Sequence, residues 1–200
     1  AALKQISKSG KKILFVATKK QAKGIVAELA KSLNMPYITE RWPGGLLTNF
    51  STIRKSIKKM QNIDAMKEDG TFDTLSKRER LQIDRQRAKL ELNLGSIVKM
   101  NRMPEAIFIV DINKENIALA EANKLGIRSF AMTDTNTNPT LVNFPIPSND
   151  DSTKSIQCIL SIIGKSISEG LEQRSIDQEK KDDAKKDKAK KIVEEQEKNN

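Results

Sequence analysis

The sequence predicts an α/β protein: a parallel sheet with helices on both faces, carrying an inserted antiparallel α-helical hairpin of coiled-coil type. Three observations lead there. Ile13–Ala17 and Ala106–Val110 are short apolar runs without alternation, the pattern of strands buried on both faces. Helical patterns separate the strand-like runs, so strand and helix alternate along the chain. Residues 48–103 interrupt that alternation with two long helical stripes and no strand between them.

The elements follow in order. Ala1 to Ile6 reads like the end of a helix, as if the chain began inside a longer sequence. Lys11 and Lys12 lead into the first strand. Ala22, Val26, Leu29 and Leu33 then share a helical face, Asn34 fits a stop, and Pro36–Thr39 makes a short second strand. In the hairpin, Phe50, Ile53, Ile57 and Met60 line the first arm, and a turn falls around Asp69-Gly70-Thr71. Ser76 and Glu79 have capping-box spacing. Ile83, Leu90, Leu94 and Ile97 line the second arm, with Leu81, Ala88 and Leu92 beside them. Arms of about 20 to 24 residues would be about 30–36 Å long.

Beyond the hairpin, the strand Ala106–Val110 ends at Asp111. Asn113 is placed to cap a helix whose face holds Ala118, Ala122 and Leu125, and Gly126 suits its left-handed end. Ile127–Thr133, ending at Asp134, is the next strand, and Leu141–Ile146 a last short one. Asn149, Asp150 and Asp151 put acceptors and negative charge at the start of a final helix. Ile156, Leu160, Ile163, Ile167 and Leu171 line that helix. The expected division is an α/β core over residues 1–47 and 104–174, the hairpin over 48–103, and a charged tail over 175–200, either disordered or a frayed single helix.

Composition narrows the function. The 200 residues carry 36 Lys+Arg against 26 Asp+Glu, a net charge of +10. Residues 1–103 hold 22 basic and 9 acidic side chains; residues 104–200 hold 14 and 17. The whole excess therefore lies in the first half, which points to a polyanionic partner, nucleic acid first. With no histidine and one cysteine, a His-based triad is excluded within this chain and a zinc site is not expected. Cys158, in the run Ile156–Ile163, reads as a buried thiol. No apolar run nears the roughly 18 residues of a membrane span.

The candidate binding residues fall in three groups. The loop Glu40–Asn49 holds the only Trp beside Arg41, with Gly44 and Gly45 to let its backbone approach a partner. Arg41 can pair with phosphate, Trp42 can pack on a sugar or base, and Thr48 and Asn49 can hydrogen-bond. Equally, Trp42 can be a structural plug at the base of the hairpin. Lys19, Lys20 and Lys23 open the first long helix, where the dipole disfavours cations unless an anion offsets it; solvated lysines are the plainer reading. Lys11 and Lys12 stand just before the first strand. On the hairpin, Arg54, Lys55, Lys58 and Lys59 flank the first stripe, and Lys77, Arg78 and Arg80 the second. Dispersed cations of this kind give strong, salt-sensitive binding to a phosphate backbone.

A second reading is an enzyme. Asp111 and Asp134 sit at strand carboxyl ends, where open α/β sheets place a nucleotide or phosphosugar. Against it, Thr18-Lys19-Lys20-Gln21 carries neither a Gly-rich dinucleotide fingerprint nor a phosphate loop. Asp134-Thr135-Asn136-Thr137-Asn138-Pro139 looks like a turn held by its own side chains.

Six stretches carry a family resemblance: Ile13–Lys20, Arg41-Trp42-Pro43-Gly44-Gly45-Leu46-Leu47-Thr48-Asn49-Phe50, Asp69-Gly70-Thr71-Phe72, Leu125-Gly126-Ile127, Asp134-Thr135-Asn136 and Ile146–Asp151. In this order and spacing they resemble the bacterial-type family of ribosomal small-subunit protein two, over roughly residues 1–170. The resemblance implies a flavodoxin-like domain with an inserted α-hairpin and no catalysis. It implies a cytoplasmic ribosomal protein on the solvent side of the small subunit, between head and body. The implied partners are small-subunit ribosomal RNA and neighbouring proteins, among them the mRNA-binding protein one, with no cofactor, membrane or small-molecule substrate. The chain departs from the family at Pro43, where Leu is usual, at Arg128, where Pro is usual, and at Ser148, where Gly is common. A family segment containing Gly-Val-His-Phe-Gly-His would lie upstream of Ala1.

Overall fold

A computed structural model describes the backbone of residues 1–198 and the side chains of residues 1–179. Five strands form one all-parallel sheet: β1 (Ile13–Val16), β2 (Tyr37–Ile38), β3 (Ala106–Val110), β4 (Arg128–Thr133) and β5 (Phe144–Pro147). Their order is β2-β1-β3-β4-β5, the doubly wound order with its reversal between β1 and β3. The register sets Phe15, Phe108, Phe130 and Phe144 side by side across four strands. Phe130 and Phe144 stack with centroids 4.5 Å apart. Pro145 and Pro147 fit β5 because an edge strand has no partner on its outer side to receive their missing N–H groups.

The two sheet faces feed two cores. On one, Phe15, Phe108, Phe130 and Met132 pack under α1 (Ala2–Lys8), α2 (Lys20–Ser32) and α6 (Thr153–Lys198). Gly170 lets α6 pass close to α1: a Cβ there would lie 2.5 Å from the Lys4 carbonyl oxygen. On the other face, Leu14, Val16, Ile107 and Ile109 pack under Ala118, Leu119 and Ala122 of α5 (Asn116–Lys124). Trp42, Leu46, Ile57, Leu94 and Ile97 complete that second core.

Residues 50–94 hold α3 (Phe50–Glu68) and α4 (Lys77–Leu94). Gly70, at φ +73°, turns the chain between them. The capping box forms: Glu79 N–H donates to the Ser76 hydroxyl, and Ser76 N–H donates to the Glu79 carboxylate. Ion pairs link Lys67 to Asp84 and Arg87 to Asp64. Ile57, Met60 and Ile63 are buried on α3, and Leu94 on α4. At 19 and 18 residues, the helices are shorter than expected. The 3-10 turn Thr71–Thr74 takes up part of the expected length.

Several local expectations need correction. Asn113 does not cap α5; its amide donates to the Asn136 carbonyl, and Glu115 holds the capping position. Leu125 is exposed, because α5 ends at Lys124 and the chain turns through Gly126 at φ +67°. The last strand starts at Phe144 rather than Leu141, because Pro139–Leu141 forms a 3-10 turn. Cys158 is exposed: Ile156, Leu160 and Ile163 turn inward, and residue 158 falls on the opposite side of α6. The tail boundary expected at residue 175 is not among these corrections: residues 175–179 continue α6, and the remainder lies outside the residues whose side chains are described. Among the described residues, no helix is long and apolar enough to cross a membrane.

Candidate nucleic-acid interface

The tryptophan loop is built around a buried carboxylate that lies outside the predicted site residues. Glu121, on α5, is 8% exposed. It accepts hydrogen bonds from Trp42 Nε1 (3.0 Å), from the backbone N–H groups of Gly45 (2.7 Å), Leu47 (2.9 Å) and Thr48 (3.1 Å), and from the Thr48 hydroxyl (3.2 Å). Gly45, at φ +82°, lets the backbone curl so that these N–H groups converge. Burial alone would push the Glu121 carboxyl up. The Trp42, Thr48, Gly45 and Leu47 donors outweigh it and hold the group below the usual carboxylate range. Trp42, 7% exposed, is thus a structural plug, and its indole is not a surface for bases. Arg41 and Gly44 remain exposed. They line a cavity of about 430 Å³ together with Lys89 of α4.

This carboxylate predicts a pH dependence. A folded-state pKa below the unfolded one means that the unfolded chain binds more protons in that interval. The stabilisation is complete above about pH 4.5 and is lost as pH falls through the folded value. In urea titrations of the full chain, the unfolding midpoint should fall below that pH, and less steeply in Glu121→Gln.

The reversal between β1 and β3, where open α/β sheets place their ligands, holds an ion cluster of the chain's own side chains. The Lys19 ammonium lies 3.1 Å from Asp111, 2.7 Å from Asp150 and 2.6 Å from Asp151. Burial would lower the Lys19 pKa, but the bonds to Asp150, Asp151 and Asp111 raise it overall. An anion does offset the lysine at this helix start, and it comes from the chain itself. Thr18 N–H donates to Glu115 Oε1 at 3.0 Å, its hydroxyl donates to the same oxygen, and Lys114 Nζ donates to the Thr18 carbonyl. Asp134 accepts from its neighbour's N–H, Thr135, as a turn residue does.

Asp134, Asp150 and Asp151 each bring a carboxylate oxygen to within 4.8 Å of the others. The Lys19 ammonium already bonds Asp150 and Asp151, so the chain supplies the cation at this group. Asp150 Oδ2 is buried without a hydrogen-bond partner among the described residues. Burial, the leading cause, raises its carboxyl above the ordinary value; Lys19 opposes the rise and Asp111 and Asp151 add to it.

The other candidate cations divide by partner. Lys11 pairs with Glu105, Lys23 with Glu40, and Arg80 lies 3.5 Å from Asp73. Arg54 is half-buried and donates to the carbonyls of Val98 and Met100, so it ties α3 to the chain leaving α4. Lys12 donates to the Asn34 carbonyl at 2.7 Å. Asn49 accepts from the Thr52 hydroxyl. Lys20, Arg41, Lys55, Lys58, Lys59, Lys77 and Arg78 are exposed with no carboxylate partner among the described residues. At the departures noted above, Arg128 lies 3.9 Å from Glu105, and the Ser148 hydroxyl donates to Ile146 O.

The sequence pattern of the family described as Ribosomal protein S2 matches residues 1–170. The chain belongs to this family. It is 64% identical to the small ribosomal subunit protein uS2 of Flavobacterium johnsoniae over 88% of this chain and 70% of that protein. It is 63% identical to the protein of that name from Phocaeicola vulgatus over 88% of this chain and 63% of that protein. For Flavobacterium psychrophilum the identity is 64%, with 88% and 66% covered. The chain thus spans 63–70% of the length of these curated relatives.

Proposed function

We propose that this chain is a structural constituent of the bacterial small ribosomal subunit, in the cytoplasm, and that it binds small-subunit ribosomal RNA without catalysing a reaction. Its family membership carries the first half of this reading. The observation that carries the second is the row of unpartnered cations on α3 and α4. Lys55, Lys58 and Lys59 lie off the buried stripe of Ile57 and Met60 and face outward. On this reading, residues 48–103 form a coiled-coil hairpin inserted in a flavodoxin-like core, and its charged flank lies along phosphates. RNA duplexes hide their base edges in a deep groove, so the hairpin reads shape and backbone rather than sequence. The position between head and body, and the docking of protein one, belong to the same proposal. The enzyme alternative loses its support, because Asp111 is tied to Lys19 and Asp134 serves a turn.

The test is charge reversal on the exposed hairpin lysines. Arg54 is avoided, because its hydrogen bonds to Val98 and Met100 hold the fold. Lys55→Glu with Lys58→Glu and Lys59→Glu should leave the circular dichroism unchanged and lower incorporation into small subunits at least about tenfold in competition with the unaltered chain. Equal incorporation would remove the hairpin as an RNA contact.

A further inference from the structure

At the amino end of the sheet, the pole opposite Lys19, a cavity of about 590 Å³ is lined by Lys11, Lys12, Lys99, Arg102, Arg174 and a single acid, Glu105. Three distant stretches supply these side chains: the approach to β1, the return from α4, and α6. Among the described residues, Glu105 pairs with Lys11 at 2.7 Å and with Arg128 at 3.9 Å. Lys12, Lys99, Arg102 and Arg174 are left without a carboxylate partner there. Gly10, at φ +75°, seats the Arg174 guanidinium: a Cβ at that position would lie 2.2 Å from Arg174 Cζ. A second cavity of about 210 Å³ shares Lys12, Lys99 and Met100 with the first and extends the groove to Asn34 and Ser96.

We infer that this groove is a binding site for the phosphodiester backbone of RNA, at the far end of the core from the sheet's usual ligand crevice. The inference rests on the RNA-binding reading above and adds a site to it. Like charges gathered around one cavity repel, and an anion relieves them. Their crowding is already felt by the Lys12 ammonium, held below its ordinary value first by burial and then by Arg174 and Lys99. Arg102 and Arg174 offer guanidinium forks that match phosphate oxygens. No aromatic side chain lines either cavity, so there is no platform for stacked bases, and recognition falls on the backbone. Adjoining cavities that share Lys12 and Lys99, with Arg102 and Arg174 in the larger one, fit a chain of phosphates better than one compact anion. The groove also lies mainly in the half of the sequence that holds the basic excess.

Lysine acetylation of the full unaltered chain tests this without any substitution. In the complex with small-subunit RNA, Lys12 and Lys99 should react at least about fivefold more slowly than in the free protein, as counterion-releasing contacts would require. Lys154 and Lys165, exposed on α6, should not change. Unchanged Lys12 and Lys99 in a sample that a gel shift shows to be bound would overturn the groove and leave the RNA reading standing. Absence of any gel shift would overturn both. Equal protection by inorganic phosphate at the same phosphate concentration would make this a small-anion site, and equal protection by polyglutamate a site for an acidic protein; either result overturns the proposal. As a second line, Lys99→Ala with Arg102→Ala and Arg174→Ala should make the salt dependence of RNA binding shallower by about 2 to 3 in the log–log slope. An unchanged slope would overturn it.

Discussion

Glu121→Ala is expected to lower the unfolding free energy by about 3–5 kcal/mol, because it strands several buried donors at once. The carboxylate accepts from the Trp42 indole, three backbone N–H groups and one hydroxyl, and these come from a single loop. Nothing else described in that loop could take them over without moving the backbone. Glu121→Gln keeps an acceptor oxygen but sets an amide N–H₂ against other donors, and should cost about half as much. The urea midpoint measures both. Trp42 is the only tryptophan, so its fluorescence reports the loop directly, and in Glu121→Ala it should shift to the red before global unfolding. A loss below about 1 kcal/mol with unshifted emission would show that water replaces the carboxylate at little cost.

Lys19→Ala should have a similarly large effect, about 3–5 kcal/mol, for the complementary reason. Its removal leaves the side chains of Asp111, 10% exposed, and Asp150, 1% exposed, facing each other without a cation. The cost lies mainly in the stranded charge, so a second substitution that removes charge should restore stability. Lys19→Ala with Asp150→Asn is expected to recover more than half of the loss, a coupling of about 2 kcal/mol. Strict additivity in the double-mutant cycle would mean that Lys19 and its three aspartates behave as solvated surface charges instead.

These two sites show where sequence reasoning reaches and where it stops. The strands at Ile13–Val16 and Ala106–Val110 are legible because burial on both faces removes alternation. The exposed lysines 55, 58 and 59 are legible because the apolar stripe of α3 fixes which side faces solvent. The cost of cations at the start of α2 is also legible, but not the source of the compensating anions. Asp150 and Asp151 come from about 130 residues further along, and only the parallel sheet brings both to the same pole. Glu121 is not legible, because a charged residue in a short helix ordinarily faces water. The available signal was its position beside Ala118 and Ala122, close to the buried face. Without Glu121, the sequence leaves Trp42 open between surface and plug. The groove cations Lys99, Arg102 and Arg174 lie outside any local pattern, since only tertiary folding assembles them with Lys12.

On the proposed function, this fold displays its cations for the phosphates of small-subunit RNA. The most direct measurement is the affinity of the full chain for that RNA between about 50 and 200 mM salt, alongside an unrelated structured RNA of equal length. Log affinity should fall linearly with log salt, losing about 10³-fold or more over this range if six or more phosphates are contacted, and small-subunit RNA should bind more tightly throughout. A flat salt dependence, or equal affinity for both RNAs at every salt concentration, would contradict it.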